Sequence, residues 1–149
     1  MASSFGSPLL VQARRYLLHG HPHTHIDWRK LGPRLAEHFS VVAADLRGYW
    51  DSSKLPSGGD HINYSKHEMA KDQVSVMRAL GHSRFILAGH DRGGRLAHRL
   101  VLDHPDAVSH LVLLNIVSTA QTYAGTDKAL ATSQFCGFCW SSRSRCQST

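Results

Sequence analysis

The residues best suited to chemistry form one short run, Gly89-His90-Asp91-Arg92-Gly93-Gly94-Arg95, which follows an apolar stretch and opens a helical one. It is a G-x-Nu-x-G turn with Asp91 at its apex. A chain that bends sharply from strand to helix leaves no room for side chains beside the bend, so glycines flank it and the central residue is pushed into the open. The free N–H groups at the start of the new helix favour an anion. A carboxylate placed there can attack a saturated carbon, expel a leaving group and form an ester with the protein. Hydrolysis of that ester needs a histidine base held by a third group, and N–H donors for the oxyanion. The competing reading is a glycine-rich turn whose aspartate only caps the helix.

Two other clusters invite chemistry and carry less. Cys136 and Cys139 have the C-x-x-C spacing of redox and zinc motifs, with Cys146 nearby. Neither a preceding strand nor a second pair of ligands accompanies them, so the spacing reads as accidental and a redox or binding module as a minor alternative. His19, His21, His23 and His25 alternate along one segment. Alternate histidines on a loop are weak evidence without carboxylates at matching positions, and neither a metal nor an organic cofactor is expected.

Four apolar runs, at residues 15–19, 39–45, 84–90 and 108–116, are expected to be the strands that position these groups. Helical spacing occupies 28–38, 64–80 and 91–104. In the second helix Met69, Val74, Met77 and Leu80 fall on or near one face, and Gly81 stops it; Pro105 ends the third. Strands alternating with helices imply an α/β fold with a parallel sheet, whose ligands bind at the carboxyl ends of the strands. Residues 56–63 read as a polar loop. Asp127 is the last acid, and residues 133–149 hold five serines, three cysteines and two arginines without a period, which suits a disordered tail.

Composition excludes several classes. With 42% hydrophobic and 19% charged residues the chain is ordinary for a soluble globular protein. The net charge of +6 is spread among acids, so no basic stripe points to nucleic acid, although small anions would be attracted. No apolar run reaches the roughly eighteen residues of a membrane span. No membrane contact and a cytoplasmic location are therefore expected; the acid-free stretch before Asp27 is only a faint transit-peptide signal.

Several segments together resemble the haloacetate (fluoroacetate) dehalogenases of the α/β-hydrolase superfamily. They are Leu18-His19-Gly20-His21-Pro22, Ala44-Asp45-Leu46-Arg47-Gly48-Tyr49 with Asp51-Ser52-Ser53, the run 89–95, and Ala97-His98-Arg99-Leu100 with Asp103-His104-Pro105. The resemblance covers about residues 17–132. It implies a partial α/β-hydrolase fold of about four parallel strands with flanking helices, lacking most of the cap and the later strands. It also implies an activity, in which Asp91 displaces halide from a short haloacid. Arg92 is the discriminating residue, since related epoxide hydrolases usually carry Trp after the nucleophile. By the resemblance Arg92 and Arg95 bind the substrate carboxylate, a task suited to guanidinium forks. The backbone N–H groups of His21 and Arg92 would form the oxyanion hole.

The sequence also departs from that pattern. Asn115, within Leu114-Asn115-Ile116, stands where the resemblance implies the acid that orients the histidine base, and an amide cannot stabilise a charged imidazole. None of the twelve histidines occupies the base's downstream position. Cys136 and Gly137 fall where the cap should supply a His-Trp pair for the halide, and Trp50 replaces a glycine, so the loop after Asp45 is expected to be distorted. Codons exist for 137–149 that, read one base earlier, encode an apolar cap-like segment. The expected organisation is thus a hydrolase part at 1–132 and a frameshifted or disordered tail at 133–149. An epoxide hydrolase-like enzyme and an inactive truncated fragment are the alternatives.

Overall fold

Tyr16, Leu17 and Leu18 are consecutive and all buried, which only a strand covered on both faces permits. They belong to strand β1 (Arg14–Leu18) in a computed structural model that describes residues 14–56, 60–117 and 124–125. The other strands are β2 (Ser40–Ala44), β3 (Phe85–His90) and β4 (Val108–Leu114). All pair in parallel in the order β2-β1-β3-β4, with Tyr16 opposite both Val42 and Leu87. The chain leaves β1 for β2 on one side and returns to pair with β3 on the other. The carboxyl ends of β1 and β3 therefore flank a topological switch point, where an open sheet leaves a crevice.

The helices are α1 (Leu31–Ala36), α2 (Lys66–Ala79) and α3 (Arg92–Asp103). The helix expected over 28–38 is divided between a 3₁₀ turn, His25–Trp28, and the short α1. Helix α2 begins with Ser65 as its N-cap, whose hydroxyl accepts from the Glu68 N–H at 3.2 Å. It ends where Gly81 takes φ 79° and the His82 N–H reaches back to the Met77 carbonyl at 2.8 Å. Met69, Val74 and Met77 are buried as their spacing predicts, but Leu80 is 51% exposed. Leu80 is the cap residue at the very end of the helix, where its side chain meets solvent.

The core joins β1 and β3 to α2 and α3 through Tyr16, Leu18, Met69, Met77, Phe85, Leu87, Leu96 and Leu100. Tyr16 packs edge-on against Phe85 at 5.7 Å, and its hydroxyl donates to Gln73 Oε1 at 2.5 Å. Outside the core, Arg47 grips Asp72 through two bonds of 2.8 and 2.6 Å, which ties the loop after β2 to α2. These elements lie in one compact unit, Met1–Ile116, and Val117–Thr149 forms a second. The expected boundary after 132 and the 133–149 tail lie outside the described residues. No helix among the described residues is long and apolar enough to cross a membrane.

Candidate active site

The turn between β3 and α3 is strained at its apex. Asp91 adopts φ 48° and ψ −114°, a conformation that costs a non-glycine residue about 1–3 kcal/mol. Its side chain makes no capping bond, so the plain helix-cap reading of this aspartate is set aside. The surroundings enforce the bend. A Cβ on Gly93 would lie 2.5 Å from the carbonyl oxygens of Leu18 and His19, and one on Gly89 would lie 2.5 Å from the Gly93 oxygen. Three backbone bonds pin the turn: Gly93 N to His19 O at 3.0 Å, Arg95 N to Asp91 O at 3.0 Å, and Asp91 N to Leu114 O at 3.1 Å.

The Asp91 carboxylate faces the segment that follows β1. The His21 N–H donates to Asp91 Oδ2 at 2.9 Å. The His21 ring meets the Tyr49 hydroxyl at 3.0 Å through Nδ1, and the Arg92 charge acts on the same hydroxyl. Burial raises the Tyr49 phenol above its ordinary range, against the pull of Arg92. Burial and the nearby Arg92 charge lower the His21 imidazole, against the opposing effect of Asp91. Asn115, at φ 52°, directly follows Leu114, whose carbonyl holds the Asp91 N–H. Asp91, Arg92, Arg95, His21 and Asn115 thus gather at the carboxyl ends of three neighbouring strands.

Two residues of this site were not singled out from the sequence. Lys66, the first residue of α2, lies in the field of Arg92, Arg95 and Asp91; burial first, then the two guanidinium charges, lower its pKa to about 8. A lysine in the first turn is itself a signal, because the helix dipole disfavours a cation there. Tyr49 belongs to the turn after β2, and only that turn's return to the strand ends reveals its role.

The histidine nearest the strand end is structural. His19 is fully buried; its Nε2 accepts the Leu46 N–H at 3.0 Å, so Nδ1 carries the proton that goes to Gly20 O at 2.8 Å. Burial lowers its pKa, in keeping with a neutral ring. Asp45 holds His25 through the backbone N–H at 2.7 Å and Nδ1 at 2.9 Å. Burial alone would raise the Asp45 carboxyl, but these bonds leave it below its ordinary value. Trp50 carries the expected distortion as φ 40°, with its side chain 62% exposed, while the surrounding turn keeps its Tyr49 N to Leu46 O and Ser52 N to Tyr49 O bonds at 2.9 Å.

Comparison with known proteins adds an independent finding. The profile of the alpha/beta hydrolase fold matches residues 16–134. The chain is 50% identical over 115 residues to a fluoroacetate dehalogenase of Burkholderia sp, a match that takes in 77% of this chain and 38% of that enzyme. A soluble epoxide hydrolase of Corynebacterium sp. (strain C12) is 40% identical over 101 residues, covering 68% of this chain and 34% of its own length. Among solved structures, ALR0039 of Nostoc sp PCC 7120 superposes with a TM-score of 0.83 at 54% identity, over 85% of this chain and 43% of that one. The chain therefore spans less than half the length of the relatives it matches.

Proposed function

The chain belongs to the alpha/beta hydrolase fold family, and on that premise we propose that its site is built for hydrolytic dehalogenation of a short haloacid. Asp91 is the nucleophile. A carboxylate oxygen attacks the carbon bearing the halogen, a C–O bond forms as the carbon–halogen bond breaks, and halide departs with the bonding electron pair. The observation that carries this reading is the setting of Asp91, a strained apex whose carboxylate accepts the His21 N–H. Three cations, Arg92, Arg95 and Lys66, share that setting. A substrate carboxylate needs such charges, and two guanidinium forks supply them with direction.

Release of the product then requires water to hydrolyse the Asp91 ester. In this reading the N–H groups of His21 and Arg92 are the oxyanion donors, supported by the His21 N–H, which already donates to Asp91 Oδ2 at 2.9 Å. Asn115 stands in the position of the orienting acid, and His19 has both ring nitrogens committed to the backbone. The described residues thus equip the first step better than the second, so the ester is expected to accumulate.

The test is to incubate the protein with fluoroacetate and chloroacetate and follow halide release together with intact mass. Stoichiometric halide and a persistent adduct mapped to Asp91, absent in Asp91→Asn, is the expected result. No adduct and no halide would favour an inert chain. An epoxide hydrolase-like activity is the second reading, favoured by the 40% identity to the Corynebacterium enzyme. It predicts an adduct with a neutral epoxide that is indifferent to Arg92→Gln.

A further inference from the structure

Next to the elbow, three groups converge that the dehalogenation reading does not use. His23 Nδ1 lies 3.0 Å from the Asp27 carboxylate. His90 Nδ1 lies 3.7 Å from Asp27 Oδ2, too long for a hydrogen bond. One ligand atom from each of the three falls within 4.8 Å of the others. We propose that His23, Asp27 and His90 form a binding site for a divalent transition-metal ion of the zinc, cobalt or nickel class.

The donor set suits such an ion, since two imidazoles and a carboxylate are borderline ligands. Bonds of about 2.0–2.1 Å in a tetrahedral arrangement place donor atoms roughly 3.3 Å apart, a value that the 3.0 and 3.7 Å separations bracket. The ligand atoms of His23 and His90 also lie within 4.8 Å of each other, so coordination draws all three groups toward one point. The three backbones are fixed independently. His23 closes a turn through its N–H to Gly20 O at 3.1 Å, Asp27 sits in the 3₁₀ turn whose Thr24 side chain accepts from Ile26 N, and His90 ends β3. The site is open to solvent on one side, with His23, His90 and Asp27 side chains 53%, 31% and 22% exposed. An ion can enter, and water can fill its remaining position.

The fold supplies what the histidine run lacked. Asp27 is the next residue in the alternation of His19, His21, His23 and His25, and β3 brings His90 across. The simpler account is an exposed His23–Asp27 ion pair with His90 as a bystander. It makes a different prediction, because an ion pair needs no third group and no metal.

The experiment is a Co2+ titration of the full chain under reducing conditions, followed by absorption and calorimetry, with the same titration of a Cys136→Ser, Cys139→Ser, Cys146→Ser variant. One equivalent bound in both proteins, with no thiolate charge-transfer band in the second, is the expected result. His23→Gln and Asp27→Asn, both at accessible positions, should each weaken binding at least about tenfold. His25→Gln should leave it unchanged. Absence of stoichiometric binding, indifference to both His23→Gln and Asp27→Asn, or loss of binding in the cysteine-free variant or in His25→Gln would each overturn the proposal.

Discussion

Replacing Lys66 by methionine should make the protein more stable and its site weaker at the same time. Lowering the Lys66 ammonium from 10.5 to about 8 corresponds to roughly 3 kcal/mol, since a tenfold change in proton affinity is about 1.4 kcal/mol. The sign follows from proton binding. Between about pH 8 and 10.5 the unfolded chain holds the lysine proton more fully than the folded one, so stability rises with pH across that window. Below pH 8 the full penalty is present. Methionine keeps the length and apolar stem without the charge, so Lys66→Met should gain about 1–3 kcal/mol at pH 7. The advantage should shrink as pH passes from 8 to 10. Urea unfolding at pH 7 and pH 9.5 measures both quantities, and an unchanged m value would show that the states compared are the same. Binding of acetate as a substrate mimic should fall severalfold in the variant at pH 7. Equal or lower stability of Lys66→Met at pH 7, with the wild-type pH slope preserved in the variant, would refute the reasoning.

Other expectations follow from single residues. Asp91→Gly should relieve the strain at φ 48° and, after glycine's own backbone cost, stabilise by about 1 kcal/mol in thermal unfolding while abolishing any ester. Trp50→Gly should raise the melting temperature by a similar mechanism, gaining up to about 1 kcal/mol, because its exposed ring packs little and its φ is 40°. Tyr16→Phe should cost about 1–3 kcal/mol in urea, since it leaves the buried Gln73 amide without the Tyr16 hydroxyl; a loss below a few tenths would mean that Gln73 finds another partner.

The sheet was readable because Tyr16, Leu17 and Leu18 of β1 are buried in succession and Phe85 to Ala88 of β3 form an unbroken apolar run, and the Gly89-x-Asp91-x-Gly93 spacing located the elbow because only glycine fits beside it. The failures have physical causes. Leu80 keeps helical spacing in the sequence but sits at the cap, at the helix end beyond the buried Met77, where it faces solvent. Lys66 and Tyr49 join the site through tertiary folding, at sequence distances that no local pattern encodes. His90 meets Asp27 for the same reason, across more than sixty intervening residues.

The strand order has a consequence for how the molecule assembles. Residue Arg14 of β1 pairs with Ser40, whereas Arg15 pairs with Ile86 on its other side. Closing the longer of those loops costs roughly 0.9 kcal/mol more in chain entropy than closing the shorter. β3 has a near partner of its own in β4, Phe85 opposite Val108, so the β1–β2 and β3–β4 pairs are both cheaper to close than β1–β3, and the sheet is completed where the two pairs dock. The elbow is completed only at that docking, because Gly93 must reach the carbonyl of His19 and Asp91 the N–H of His21. Substitutions at the elbow should then change the rate of unfolding far more than the rate of folding, which leaves the chain free to vary its chemistry without losing its way to the fold.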